Sequence, residues 1–277
     1  VAMPKGASQE APDHPEPPGG AVAPNIARIR NFWLGGNHYS ESDRALAERI
    51  ELCGPHIPYL VRAQRALVRR QVRYLAEQGV DQFLDLGSGL PDLGYVHHVA
   101  QELNPACRVG YVDLDATLAA DAEELLAGTS GARFVVADCR DIGAVLDHPV
   151  VREVLDPARP FAVLMTELLL HVPDSERPEE LVAAWVEAMP SGSHLVISHF
   201  GEDEDVLAGF RIFERLKFGR FPEVSLRPRQ RVAEFFAGLD LVEPGVVPAP
   251  LWRPGPDDET VLNPEDVRMF AGVGRKR

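Results

Sequence analysis

The chain has 277 residues, 45% of them hydrophobic, and a formal charge of −14 from 28 basic and 42 acidic side chains. That length carries one large α/β domain or a domain with a cap, and that charge argues against a nucleic-acid partner, whose phosphates need a basic stripe. Three widely spaced cysteines, Cys53, Cys107 and Cys139, match neither a disulfide framework nor zinc-ligand spacing; with no bilayer-length apolar run and no leader pattern, no membrane partner is expected and reduced cytoplasmic thiols are.

Residues 1–24 are rich in Pro, Gly, Ala and acids. Such a stretch buries too little to offset its ordering entropy and reads as a disordered tail. A helical cap is expected over 25–80. Its first helical stretch runs from Pro24 to about Gly54, broken at Gly35-Gly36, and its second from Pro58 to Glu77. In the second, Arg62, Arg65, Arg69 and Arg73 share one stripe, which reads as a solvated face; Val61, Val68, Val72 and Leu75 face a core.

Over 81–277 the period changes. Gln82–Asp85, Arg108–Asp113, Arg133–Asp138, Phe161–Met165 and His194–Ser198 are short apolar runs. Continuous apolar runs are strands covered on both faces, and their alternation with helix-length segments predicts a doubly wound α/β domain. Beyond Phe200 the pattern predicts a helix near Asp203–Lys217, a basic loop over Arg220–Arg229 and a helix ending at Phe236. Closing strands are expected at Leu239–Val242 and Val267–Val273. The Pro-rich stretch Pro244–Pro264 between them is long for a compact domain and reads as a lid or binding loop.

The run Phe83-Leu84-Asp85-Leu86-Gly87-Ser88-Gly89 reads as a buried strand that stops at a glycine turn, where backbone approaches a ligand that any Cβ would obstruct. One βαβ unit later, Val109-Gly110-Tyr111-Val112-Asp113 is a second strand ending in a carboxylate. Strand ends of a parallel sheet open on one crevice, so Asp85, Gly87, Ser88, Gly89, Asp113 and Leu114 are expected to meet Asp138 and Cys139 there. Asp113 has the reach to accept both ribose hydroxyls, and Asp138 with Cys139 to read an adenine edge. A nicotinamide dinucleotide fits less well. Asp92 stands where that fingerprint has a third small residue, and a carboxylate there repels a pyrophosphate. S-adenosylmethionine, a nucleoside with a cationic sulfonium, suits an acidic crevice. The plain alternative is a structural turn.

The chain resembles the class I S-adenosylmethionine-dependent methyltransferases, and more narrowly an actinobacterial family of uncharacterised S-adenosyl methyltransferases. The matching segments are Pro24-Asn25-Ile26-Ala27-Arg28, Leu34-Gly35-Gly36, Asp43-Arg44, Gln82 to Pro91, and Ala137-Asp138-Cys139-Arg140. Leu170-His171-Val172-Pro173-Asp174, Gly192 to His199, Trp252-Arg253-Pro254 and Gly272-Val273-Gly274-Arg275-Lys276 complete the set. The resemblance implies a Rossmann-like, seven-stranded, mostly parallel sheet with its last strand antiparallel. It also implies that the N-terminal helices cap the cofactor site. Two segments depart from the family. Asp113-Leu114-Asp115-Ala116 replaces its usual Asp-Asn-Asp-Pro but keeps Asp113, and Asn31-Phe32-Trp33 replaces an Asp-Tyr before the glycine pair, which places an indole near the expected substrate mouth.

Methyl transfer from a sulfonium is an in-line displacement, so the protein chiefly aligns nucleophile, methyl and sulfur; an O or N nucleophile also calls for a base. His171, after the fourth strand, is the first candidate, and His199, after the fifth, the second. Glu167, directly after Thr166, is expected to contact the cofactor amine or the substrate, the plain alternative being the solvated start of a helix. Trp33 and Tyr39 are candidates to stack on a flat small-molecule substrate, and Arg28 and Arg30 to hold the methionine carboxylate or an acidic substrate group. No metal is expected, since His97 and His98 diverge by about 100° on a helix. The alternatives are a non-catalytic S-adenosylmethionine-binding protein and an enzyme that consumes S-adenosylmethionine without methyl transfer; a nicotinamide oxidoreductase stands last.

Overall fold

The computed structural model describes residues 23–92, 94–202, 224–256, 258 and 263–277. Residues 1–22 of the expected tail, the helix expected near Asp203–Lys217 and the start of the basic loop lie outside them. The first helical stretch is two helices, α1 (Ile26–Trp33) and α2 (Glu41–Cys53), followed by α3 (Ile57–Glu77). Asn25 caps α1, its side chain accepting from the Ala27 amide at 2.8 Å. Ser40 and Asp43 form a reciprocal capping box on α2.

The break falls at the glycine pair for a steric reason. Gly35 adopts φ +79°, and a Cβ on Gly36 would lie 2.4 Å from the side chain of Asn31. Asn31 is buried, accepting from the His38 amide at 2.9 Å and donating to Asp92 at 3.1 Å. Gly36→Ala is therefore expected to displace Asn31 and to destabilise the fold by about 1–3 kcal/mol. The check is the midpoint of urea unfolding; an unchanged midpoint would mean that Asn31 yields freely.

The apolar runs form β1 (Gln82–Leu86), β2 (Arg108–Asp113), β3 (Ala132–Val136), β4 (Ala162–Thr166) and β5 (His194–Phe200), all parallel. Between them lie α4 (Val96–Leu103), α5 (Ala119–Leu125), α6 (Ile142–Asp147), α7 (Pro149–Val154) and α8 (Pro178–Ala188); α8 precedes β5. Strand side chains alternate between two cores. Phe83, Val109, Leu164 and Val196 pack with α3 and α4, whereas Leu84, Leu86, Met165 and Ile197 pack with α7 and α8. The helix α3 thus serves the sheet's core as well as the cap.

After β5 come two short edge strands, β6 (Asp240–Leu241) and β7 (Val247–Pro248), and the last strand, β8 (Met269–Arg275). The order is β3-β2-β1-β4-β5-β8-β6, with β7 also on β8. As the resemblance implies, the last strand is antiparallel, running beside β5 from His194↔Arg275 to Phe200↔Met269. Its outer neighbour is split in two, giving eight strands among the described residues, and Pro248, which has no N–H, sits at that edge where none is needed. Among the described residues, the stretch read as a lid is tied to α3. Arg70 donates to the carbonyls of Trp252 at 2.9 Å and Ala249 at 2.7 Å and pairs with Asp258 at 3.1 Å.

Candidate active site

The chain leaves β1 toward β2 on one side and returns to β4 on the other, so the carboxyl ends of β1 and β4 flank the switch point where ligands bind in open α/β sheets. The glycine turn is held there between two neighbours. Gly87 adopts φ +66°, and a Cβ would lie 2.8 Å from Leu168 beyond β4; Gly89 adopts φ +60°, and a Cβ would lie 3.3 Å from Ala27 of α1. Asp113 closes the turn from the next strand, accepting from the Gly89 amide at 2.8 Å and from the Asp115 amide at 3.0 Å. Burial pushes the Asp113 carboxyl up, and those backbone amides oppose the shift. Leu114 follows with 64% of its surface exposed.

These residues line a cavity of about 510 Å³. Asp138 and Cys139 after β3 form another wall with Arg140. Burial opposes ionisation of Asp138, but Arg140, 2.8 Å away, more than offsets it and holds that carboxyl below the usual range. Burial pushes the Cys139 thiol up to about 11. His171 lines the cavity and is exposed. The cap contributes Asn25, Arg30, Gln64 and Arg65. Asn25 joins three elements at once, donating from its side chain to Asp115 at 2.5 Å and from its backbone to Asp43 at 2.7 Å while it caps α1.

The end of the cavity under the cap is densely charged. Glu167, just past β4, is held at φ +61°, left-handed although not glycine. Its carboxylate accepts from Arg30 at 2.7 Å through Oε2, while Oε1 is buried without a partner among the described residues. Arg30 also donates to Gln64 at 2.6 Å. Arg65 pairs with the buried Asp92 and lies over the Tyr95 ring, 4.2 Å from its centroid. Asp85, at the end of β1, is fully buried and neither oxygen has a well-formed hydrogen bond. Burial raises its pKa to about 7, against the pull of the Tyr95 hydroxyl and the Arg65 guanidinium.

Several expectations need correction. Arg65 is no solvated arginine: only 12% of its side chain is exposed, and it lines the site. Gln64 and Arg65 occupy the turn of α3 between Val61 and Val68, and polar side chains at that core-facing level were the available signal. Asp92 is not a bare charge, because Arg65 and Asn31 hold it, which offsets part of the repulsion its sequence position suggests. Arg28, Trp33 and Tyr39 do not line the cavity. Arg28 clamps α5 through Asp121 at 2.7 Å and the Thr117 carbonyl at 2.6 Å. Trp33 fills the cap core with Ile29, Leu46 and Ile50, so the indole is not at a substrate mouth. Tyr39 sits edge-on to Phe32, with ring centroids 5.1 Å apart. His199 is fully buried and does not line the cavity, and its Nε2 accepts from Arg227 at 2.9 Å, which leaves it no free lone pair to take a substrate's proton.

A doubly wound sheet with a glycine turn at its switch point, a carboxylate on the next strand and a helical cap is an architecture that class I S-adenosylmethionine-dependent methyltransferases share. The chain belongs to the S-adenosyl methyltransferase family, which it matches over residues 20–277, and S-adenosylmethionine is its methyl donor. Two solved structures align with most of the chain. A candidate methyltransferase from Thermobifida fusca is 36% identical, with a TM-score of 0.81 over 92% of this chain and 96% of that one. A DUF574 family protein from Streptomyces avermitilis is 33% identical, with a TM-score of 0.82 over 92% and 98%. The plantazolicin methyltransferase BpumL, at 10% identity, shares the fold with a TM-score of 0.51 over 91% and 96%. No curated protein matches the chain. Among the described residues no helix is long and apolar enough to cross a membrane.

Proposed function

We propose that this methyltransferase acts on a small-molecule acceptor in the reducing cytoplasm, with Asp113 and the Gly87–Gly89 turn gripping the donor's nucleoside and His171 serving as base. The observation that carries the reading is the charged end under the cap. A buried, unpartnered Glu167 Oε1 lies on a carboxylate already paired to Arg30. An adjacent acceptor and donor of opposite charge suit the zwitterionic amino-acid end of S-adenosylmethionine. Asp85 adds negative potential from beneath. Toward the other end Leu114 offers an apolar surface for the adenine, Asp138 and Cys139 border its edge, and Asp113 takes the ribose hydroxyls in its remaining acceptor positions.

Bound S-adenosylmethionine supplies an electrophilic methyl group on a sulfonium whose departure as a neutral thioether needs no acid. What remains for the protein is alignment and, for an O or N nucleophile, removal of one proton. The cap residues Arg30, Gln64 and Arg65 cover the charged end from water, and His171 at the exposed rim takes the acceptor's proton. Isotopic label from the donor methyl is expected in the small-molecule fraction of a cell extract. His171→Ala is expected to lower that transfer about a hundredfold while leaving affinity for S-adenosylhomocysteine, the demethylated product, unchanged. Transfer unaffected by the substitution would remove His171 from the chemistry, and label appearing solely in macromolecules would overturn the acceptor class.

A further inference from the structure

We infer that Arg227 is a positioning residue for methyl transfer: its guanidinium holds the loop after β4 that carries His171 against the cofactor cavity. The side chain is 2% exposed and all five of its N–H groups find acceptors. Nη1 donates to the Leu169 carbonyl at 2.7 Å and to His199 Nε2 at 2.9 Å. Nη2 donates to the Val172 carbonyl at 2.7 Å and to Asp174 at 2.8 Å, and Nε reaches the same Asp174 oxygen at 3.1 Å. The two carbonyls bracket His171 in sequence. The backbone next to Arg227 reinforces the grip, with the Ser225 amide donating to Leu170 O at 2.9 Å and the Arg227 amide to Phe200 O at 3.2 Å.

The loop so held is a wall of the site. Leu168, His171 and Val172 line the cavity, and Leu168 is the side chain packed against the Gly87 turn. His199 takes a definite part in the clamp. Its Nδ1–H donates to the Phe200 carbonyl at 2.7 Å, so Nε2 carries the lone pair that receives Arg227. Burial keeps the imidazole neutral, with its pKa lowered to about 4. A fork with fixed donor directions sets several loop atoms at once, which a lysine's single ammonium cannot reproduce.

The positioning role rests on the proposed cavity and not on His171 being the base, so the test reads product affinity as well as turnover. Arg227→Met is expected to bind S-adenosylhomocysteine about tenfold more weakly by calorimetry well below its melting temperature, the equivalent of one well-made buried hydrogen bond at the ligand. Arg227→Lys should fall between it and the parent. Leu75→Ala, a core truncation remote from the cavity, serves as the destabilised control and should bind as the parent does. Equal weakening in Arg227→Met and Leu75→Ala, or none in Arg227→Met, would overturn the assignment. Should Arg227→Met not fold, Asp174→Ala decides: its carboxylate is largely exposed, it removes two of the clamp's hydrogen bonds, and unchanged affinity there would overturn the role. If His171→Ala keeps full turnover while Arg227→Met loses affinity, the base assignment falls and the positioning role stands.

Discussion

Asp113→Ala is expected to abolish measurable binding of both S-adenosylmethionine and S-adenosylhomocysteine. Asp113 has two duties. Its oxygens already take the Gly89 and Asp115 amides, and by the proposed reading its remaining acceptor capacity takes the ribose hydroxyls. Removing it deletes charge-assisted bonds to the ligand, each worth about 1.5–3 kcal/mol, and releases the turn that carries the backbone floor. Together these amount to about a thousandfold or more in affinity. Asp113→Asn keeps the shape and one acceptor and should retain partial binding. A titration in which Asp113→Ala shows heats like the parent's would remove this carboxylate from the site. The same titration separates the two ends of the ligand. Arg30→Met should lose affinity for S-adenosylhomocysteine but not for adenosine, which lacks the amino-acid end, whereas Asp113→Ala should lose both.

The contribution of Asp85 to stability should fall as pH rises from about 4 to about 7, against the opposite trend of the buried His97, His194 and His199, whose lowered pKa values favour folding as pH rises toward neutral. The Asp85 carboxyl titrates near 3.8 when exposed and at about 7 in the folded protein, chiefly because burial strips its hydration. Below the lower value both states are protonated and the group has no effect. Between the two values the unfolded chain releases a proton that the folded one retains, so ionisation favours unfolding, and above the upper value the penalty is constant. Its ceiling is about 4 kcal/mol. Asp85→Asn stays neutral throughout, so its stability relative to the parent should be greater at pH 8 than at pH 5 by a few kcal/mol, read from urea unfolding at each pH. Parallel pH profiles would show that the carboxyl is neutralised by other means. The same substitution should weaken donor binding at pH 8, since a negative charge beneath the cationic end would be gone.

What could be read before folding was what depends on near neighbours. The strands are continuous apolar runs because both faces are covered, and the turn at Gly87 and Gly89 requires glycine for its backbone angles alone. Asp113 is marked by its distance from that turn. Arg65, Trp33 and His199 were misjudged for one shared reason: each depends on a partner far away in the chain. Arg65 meets Asp92 and Tyr95 across the cap boundary, Trp33 meets helix α2 folding back on α1, and His199 meets Arg227. A helical stripe says which residues share a side, not which side meets solvent. Of the split edge, β6 lies inside the strand expected at Leu239–Val242, whereas β7 was hidden, since a strand of two residues leaves no periodicity to detect.

Glu167 records a conflict between backbone comfort and the placing of a charge. A left-handed residue with a side chain costs about 1–2 kcal/mol relative to glycine, and this chain carries glycine at the other left-handed turns of the site, Gly87 and Gly89. Relaxing residue 167 in the same way would ease the turn and erase the only side chain that ties the first helix of the cap directly to the end of β4 through an ion pair among the described residues. The cap would then be free to lift without breaking a charge pair. Glycine there would trade the strain of the turn for an Arg30 left without its carboxylate, and so for a looser door.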